Sequence, residues 1–163
     1  MKINLNETKT AAILTRSATN QEALATQETA CRELAEKNSY AVTNVYKMIG
    51  LGWVRSGRNK RNLAPELNKL LDDTKAHKFD IIIVTSLDRF SGDSRVLLPM
   101  IYSLKVRANI DVLSADGTLD TRQIDWKLTL SMLGVLAEHE HTMISQRVKK
   151  SWERRKAATM VNK

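Results

Sequence analysis

The chain has 163 residues, a length that suits one domain and is enough to enclose a hydrophobic core. Hydrophobic residues make up 42%, which argues against disorder; no apolar run is long enough to span a bilayer, and the opening Met1-Lys2-Ile3-Asn4 lacks a signal-peptide pattern. Lys and Arg number 26 against 18 Asp and Glu, a formal charge of +8, which points to an anionic partner without naming one.

The apolar run Ala11-Ala12-Ile13-Leu14 predicts a first strand over Thr10 to Leu14, ending in Thr15-Arg16-Ser17. Glu22 to Lys37 then repeats Leu24, Cys31, Leu34 and Ala35 at helical spacing. Cys31, the one cysteine, lies on that apolar face and reads as a packed thiol; with no partner for a disulfide, a reducing cytoplasm is expected. Ala41 to Tyr46 alternates and predicts a second strand. Met48 to Asn62 holds Gly50, Gly52 and Gly57 with Arg55, Arg58, Lys60 and Arg61, and reads as a long, mobile, basic loop. Pro65 suits the first turn of a helix that runs through Leu67, Leu70 and Leu71 to about Ala76.

Asp80 to Thr85 predicts the third strand. Its core, Ile81-Ile82-Ile83-Val84, is apolar throughout, as in a parallel strand buried on both faces. Ser94 is placed to cap a helix through Leu97, Leu98, Ile101 and Leu104, with Pro99 predicting a later start or a bend. Ile110 to Leu113 predicts a fourth strand, and Asp116-Gly117 a turn.

From about Ile124 the only helix breaker is Gly134, so one long helix is expected. Its first half is apolar nearly all round: Trp126, Leu128, Leu130, Met132, Leu133, Val135 and Leu136. Such a helix needs burial on two sides: one on the sheet, the other most simply on a second copy of itself. Its second half keeps a narrower stripe through Ile144, Val148 and Trp152 and becomes basic, with Arg147, Lys149, Lys150, Arg154, Arg155 and Lys156. Two readings stand for this half: an arm lying along DNA, or a helix folded back or paired in a coiled coil. The predicted fold is α/β: a mainly parallel sheet of about four strands flanked by helices over residues 1–121, then a long basic C-terminal dimerisation helix over 122–163, with no separate DNA-binding domain.

The candidate chemistry lies where two predicted strands end. Ser86-Leu87-Asp88-Arg89-Phe90-Ser91 follows the third strand, and Thr15-Arg16-Ser17 closes the first. Ligand sites in open α/β sheets sit outside the C-terminal ends of strands, and an arginine there is placed to grip a phosphate. No zinc-ligand spacing joins His77, His139, His141 and Cys31, and no common Gly-rich phosphate loop is present, so no metal or cofactor is expected.

These residues have an order that resembles a family. Ser17 with Gln21 follows the first strand. Ser56-Gly57 sits in a basic loop, and Lys78-Phe79-Asp80 leads into Leu87-Asp88-Arg89. Asp120-Thr121, Ala137-Glu138, Glu140 and Arg147 follow. Together, from about Thr10 to Arg155, they resemble the catalytic domain of serine recombinases: resolvases, invertases and large serine integrases. The resemblance implies a resolvase-like fold and site-specific DNA recombination, in which a serine hydroxyl attacks a phosphodiester to form a phosphoserine link to DNA. It implies no metal, because arginines neutralise the charge that develops on phosphorus. Ser17 would be the nucleophile. Arg89 and Arg147 would grip the phosphate, Asp88 would order the arginines or the leaving group, and Gln21 would support the loop carrying Ser17. Trp126, Leu130, Leu133, Leu136 and Ile144 would line the dimer helix. Arg55, Arg58, Lys60, Arg61, Lys149, Lys150, Arg154 and Arg155 would contact DNA, mostly its backbone. The implied partners are DNA and a second copy, with a tetramer or a full-length recombinase as further partners, and no membrane.

The chemistry-bearing positions depart from the pattern more than the fold-bearing ones. The family's strand arginine, two before the serine, is Thr15 here, and the tyrosine before it is Ile13. Its Arg-Pro is Ala64-Pro65, and its Asp-Arg-x-x-Arg is Asp88-Arg89-Phe90-Ser91-Gly92. The lysine before Leu-Asp-Arg is Ser86, an acidic residue expected ahead of Ser56-Gly57 is missing, and His141 stands where arginine is common. Three catalytic arginine positions are thus lost, with Arg16, Arg61 and Arg95 as candidates for relocated charge. Each lost donor at a developing oxyanion costs on the order of a hundred- to thousandfold in rate. Two functional readings follow: a slow recombinase, or a catalytically inactive recombinase-fold protein that binds DNA, oligomerises or regulates. Under the second, Ser17 reduces to a helix cap and Asp88-Arg89 to a structural ion pair.

Overall fold

The structure is a computed structural model describing residues 8–17, 21–49, 53–56, 60–63, 65–91 and 94–161, with backbone alone for 53–56, 60–63, 137, 140, 141 and 154–161. Four parallel strands form the sheet: β1 (Thr10–Ser17), β2 (Ala41–Ile49), β5 (Ile81–Val84) and β6 (Asp111–Ser114), in the order β2-β1-β5-β6. Between β2 and β5 lie a short antiparallel hairpin, β3 (Trp53–Ser56) with β4 (Lys60–Leu63), and helix α2 (Pro65–Lys75). The remaining helices are α1 (Gln21–Lys37), α3 (Ser94–Val106) and α4 (Trp126–Val161).

The alternation of side chains along a strand divides the core into two layers. Ala11, Ile13, Ile81, Ile83 and Leu113 face α1, where Cys31 and Ala35 close the layer. Ala12, Leu14, Ile82, Val84 and Val112 face α2, α3 and the start of α4, packing with Leu67, Leu70, Ile101, Leu104, Trp126 and Leu130. All four residues of β5 are fully buried, as its unbroken apolar run requires. Each such side chain contributes about 1.5–3 kcal/mol on burial, which makes the sheet centre a stiff platform for its edges.

Two sequence expectations change. The stretch Met48 to Asn62 is not one open loop: β2 runs on to Ile49, and β3 pairs β4 from Trp53↔Leu63 to Ser56↔Lys60. Glycines and cations masked a pairing that depends on which two short stretches meet. The later start that Pro99 offered is not taken: α3 begins at Ser94 and runs through the proline, which is exposed at the sixth helical position and lacks the N–H that would bond the Arg95 carbonyl.

After β6 the chain turns at Gly117, whose φ of +75° favours glycine, and returns antiparallel beside β6 through the Leu113↔Asp120 bridge. Arg122 then ties this return to the segment before β2. Its Nε and Nη2 donate to Asp120 at 2.9 and 2.7 Å, and Nη1 donates to Asn38 Oδ1 at 2.9 Å and to the Tyr40 hydroxyl. The tie aims α4. Trp126 meets Tyr102 of α3 with ring centroids 5.9 Å apart, and Gly134 lies against Leu98, where an added Cβ would stand 2.9 Å from Leu98 Cδ1. So α4 runs antiparallel to α3, toward the sheet edge where β1 and β5 end. No helix among the described residues is long and apolar enough to cross a membrane.

Candidate active site

The site begins where one ladder stops. β5 pairs β1 only as far as Leu14↔Val84, while β1 continues beside β2 to Ser17↔Ile49. Past Val84 the chain leaves the sheet and forms a single 3₁₀ turn, Leu87–Arg89. Side chains take over from the missing ladder at Arg16. Gln27 of α1 accepts from the Arg16 N–H and donates to its carbonyl, both at 3.0 Å. Arg89 Nη1 donates to the same carbonyl at 2.9 Å. In return, Arg16 Nη2 donates to the Asp88 carbonyl at 2.7 Å. Each arginine thus holds the other's strand end by its main chain.

The exchange centres on a carboxylate. Asp88 Oδ2 lies 3.0 Å from Arg89 Nη2 and 4.0 Å from Arg16 Nη2. Asp88 Oδ1 accepts from the Ser86 hydroxyl, and that hydroxyl accepts from Arg89 Nε at 3.3 Å. Arg16 Nε is buried and has no hydrogen-bond partner among the described residues. Ser17, 8% exposed, follows directly on the peptide whose carbonyl Arg89 holds. The structure therefore brings Asp88 and Arg89, on the 3₁₀ turn, to the end of the strand that carries Ser17, and adds Arg16 to them.

Thr15, in the place of the family's strand arginine, is fully buried, with its hydroxyl 3.5 Å from the Tyr46 carbonyl. Arg16 and Arg89 both place guanidinium hydrogen bonds at this junction. Gln21 is the exposed first residue of α1, and Arg95 is exposed in the first turn of α3. Arg58 lies outside the described residues. Arg55, Lys60 and Arg61 stand on the β3–β4 hairpin and Arg154 and Arg155 on α4, with their side chains outside the description. Arg147, Lys149 and Lys150 are exposed on α4, in the part that continues beyond the contact at Gly134. At a rise of about 1.5 Å per residue, Arg147 stands roughly 20 Å past Gly134. Among the described residues no group of three or more His, Cys, Asp or Glu is placed to hold a metal ion.

Of the residues expected on the dimer helix, Trp126 and Leu130 are buried in this chain's own core and Leu133 packs against it. That assignment is revised: α3 already covers this face. Leu136 and Ile144 are exposed, and Leu128, Met132 and Val135 join them. Sequence reasoning missed Gln27, which acts on a group brought near by folding, and gave Ser86 no role, although it bonds Asp88 and Arg89 within its own turn. Cys31 is buried, and burial pushes its thiol up to about 12, as befits a packed, unreactive side chain.

Residues 11–160 match the family described as Resolvase, N terminal domain. Among solved structures, the N-terminal catalytic domain of TP901-1 integrase is similar at 26% identity and a TM-score of 0.66, covering 83% of this chain and 98% of that one. A resolvase family site-specific recombinase from Streptococcus pneumoniae shares the fold at 20% identity and a TM-score of 0.64, covering 90% and 97%. The C-terminal catalytic domain of ISC1926 TnpA, an IS607-like serine recombinase, shares it at 19% and 0.53, covering 86% and 96%. No curated protein matches. With a family match spanning nearly all of the sheet and helices just described, the chain belongs to the resolvase N-terminal domain family of serine recombinases.

Proposed function

We propose that this chain is a site-specific DNA recombination domain in which the Ser17 hydroxyl attacks a DNA phosphodiester, at a slow rate. One observation carries the reading: Arg89 is hydrogen-bonded to the carbonyl immediately before Ser17, so a guanidinium and a hydroxyl belong to one strand end. Arg89 would grip the non-bridging oxygens of the phosphate, with Asp88 holding Arg89 in place and Gln21 supporting the chain after Ser17. Arg147 would add charge from α4. A buried Thr15 where the family places an arginine supports the slow rate.

The α/β body over 1–121 would hold the chemistry, and 122–163 would carry pairing and DNA contact. Leu128, Met132, Val135, Leu136 and Ile144 offer an apolar stripe to a second copy, with tetramers formed from paired dimers. The cations on the β3–β4 hairpin and on the far half of α4 would follow the DNA backbone, giving binding that falls steeply with salt. A cytoplasmic site of action fits this substrate. The same buried Thr15 favours a second reading: a catalytically silent member that binds DNA or pairs with a full-length recombinase.

The deciding experiment incubates the protein with supercoiled plasmid carrying the DNA that flanks its own coding sequence and separates covalent adducts on a denaturing gel. A small amount of protein-linked DNA, abolished by Ser17→Ala, is expected. Intact DNA binding with no adduct at all would end the strand-cleavage reading in favour of the silent one.

A further inference from the structure

We propose that the cleft between α2 and α3 is a binding site for an amphipathic carboxylate, a small molecule with an apolar chain and one carboxylate at its end. The cleft has a volume of about 530 Å³, within the range of small-molecule sites. It lies at the edge of the sheet where β5 and β6 begin, opposite the end that carries Ser17. The proposal therefore stands apart from the strand-cleavage reading.

The cleft follows from the topology. β5 and β6 are parallel neighbours, and the helix before each packs on the same face of the sheet. α2 and α3 thus run side by side in one direction, and each carries the same gradient along the cleft. α2 presents Leu71, then Lys75 one turn on, then His77 just past the helix end. α3 presents Met100, then Leu104, then Arg107. Leu71 and Met100 pack against the core and stay only half-buried. Polarity is therefore sorted along the cleft, apolar at one end and cationic at the other. An amphipathic helix sorts its polarity across its width. A chain with a charged head sorts it along its length, and matches. From Met100 to Arg107 the helix rises about 10 Å, the reach of a short alkyl chain.

The cations are open to a ligand. Helix C-termini attract cations to their unpaired carbonyls, and here the main chain already serves those carbonyls. The N–H groups of Ala76, His77 and Lys78 donate to Asp72, Thr74 and Asp73, and those of Arg107 and Ala108 both donate to Ser103. Among the described residues, no hydrogen bond or ion pair engages the side chain of His77 or Arg107. Lys75 holds Asp72 at 2.8 Å, with both side chains exposed to exchange. Thr74 spends its hydroxyl on the Leu70 carbonyl at 2.6 Å, so the middle of the cleft stays apolar. No carboxylate among the described residues lines the cleft. A ligand carboxylate complements the cationic end.

The test uses the full chain carrying methyl-¹³C methionine and follows the Met100 methyl signal during titration with octanoate at constant pH and ionic strength. Met100 should shift saturably, while Met132 and Met143, exposed on α4, stay in place. Acetate, which lacks the chain, and octylammonium, which reverses the charge, should bind at least about tenfold more weakly. Arg107→Glu, at an exposed position, should weaken octanoate about tenfold. Octylammonium binding as well as octanoate, or octanoate binding unchanged by Arg107→Glu, would overturn the proposal; the ligand series decides it even without the variant. Shifts of Met132 and Met143 alongside Met100 would mean adsorption to any apolar surface. A Met100 signal that moves on dilution of the chain alone would mean that a second copy covers the cleft. Either result also removes the site.

Discussion

Arg122 and Arg89 both pair with a neighbouring aspartate, at opposite edges of one sheet, and they use their donors differently. At the edge where strands begin, Arg122 is saturated: Asp120 takes two donors, and Asn38 and the Tyr40 hydroxyl share a third. The Arg122 guanidinium holds the Asp120 carboxyl below its ordinary range. At the edge where strands end, Arg89 and Arg16 bond main-chain carbonyls and share one oxygen of an exposed carboxylate, with Arg16 Nε unpartnered among the described residues. The same residue types thus build a closed structural tie at one end and a less fully paired cluster at the other. What separates them is the number of acceptors the fold supplies.

This contrast predicts opposite phenotypes. Arg89→Ala should lower any Ser17-dependent adduct by about a hundredfold or more, yet cost less than about 1 kcal/mol of stability, because its partner Asp88 is half exposed. Arg122→Ala should cost about 2 kcal/mol, read as a lower urea midpoint, and leave phosphate binding unchanged. If Arg122→Ala abolished phosphate binding while Arg89→Ala unfolded the chain, the assignment of the two edges would be reversed.

Acid sharpens the comparison. Asp120 has a folded pKa below its ordinary 3.8, first because of its hydrogen bond to Arg122. Its stabilisation is therefore fully present above that value and is lost as pH falls through the folded pKa. The stability gap between the parent and Arg122→Ala should stay constant from about pH 5 to 8 and shrink below about pH 4. A gap that widened in acid would refute the tie.

The smallest effect concerns how α4 reaches the site edge. Gly134→Ala puts a Cβ 2.9 Å from Leu98 Cδ1, the end of a side chain that can turn, while alanine favours the helix by about 1 kcal/mol. The two nearly cancel, so the melting temperature should move little. A loss of several kcal/mol would mean that α3 and α4 cannot give at this contact.

Much of this fold was legible because its signals are local. The unbroken Ile81–Val84 run marked a strand buried on both faces, and Pro65 marked a helix start. The site was legible in part: Ser17, Asp88 and Arg89 were named from strand-end position and family order. Trp126 and Leu130 misled, because an apolar face does not say whether it meets its own core or another chain. The β3–β4 hairpin misled because context overrode a local rule.

The sequence by itself determined the sheet, its flanking helices and the lineage, since period, run length and motif order are properties of neighbouring residues. Only the tertiary structure decided that Arg89 would donate to the Arg16 carbonyl 73 positions away, that Arg16 would donate to the Asp88 carbonyl, and that Gln27 would fix Arg16. It also decided which face of α4 stayed open. Each of these depends on where two separate segments end relative to one another, a distance that packing sets and no local pattern encodes.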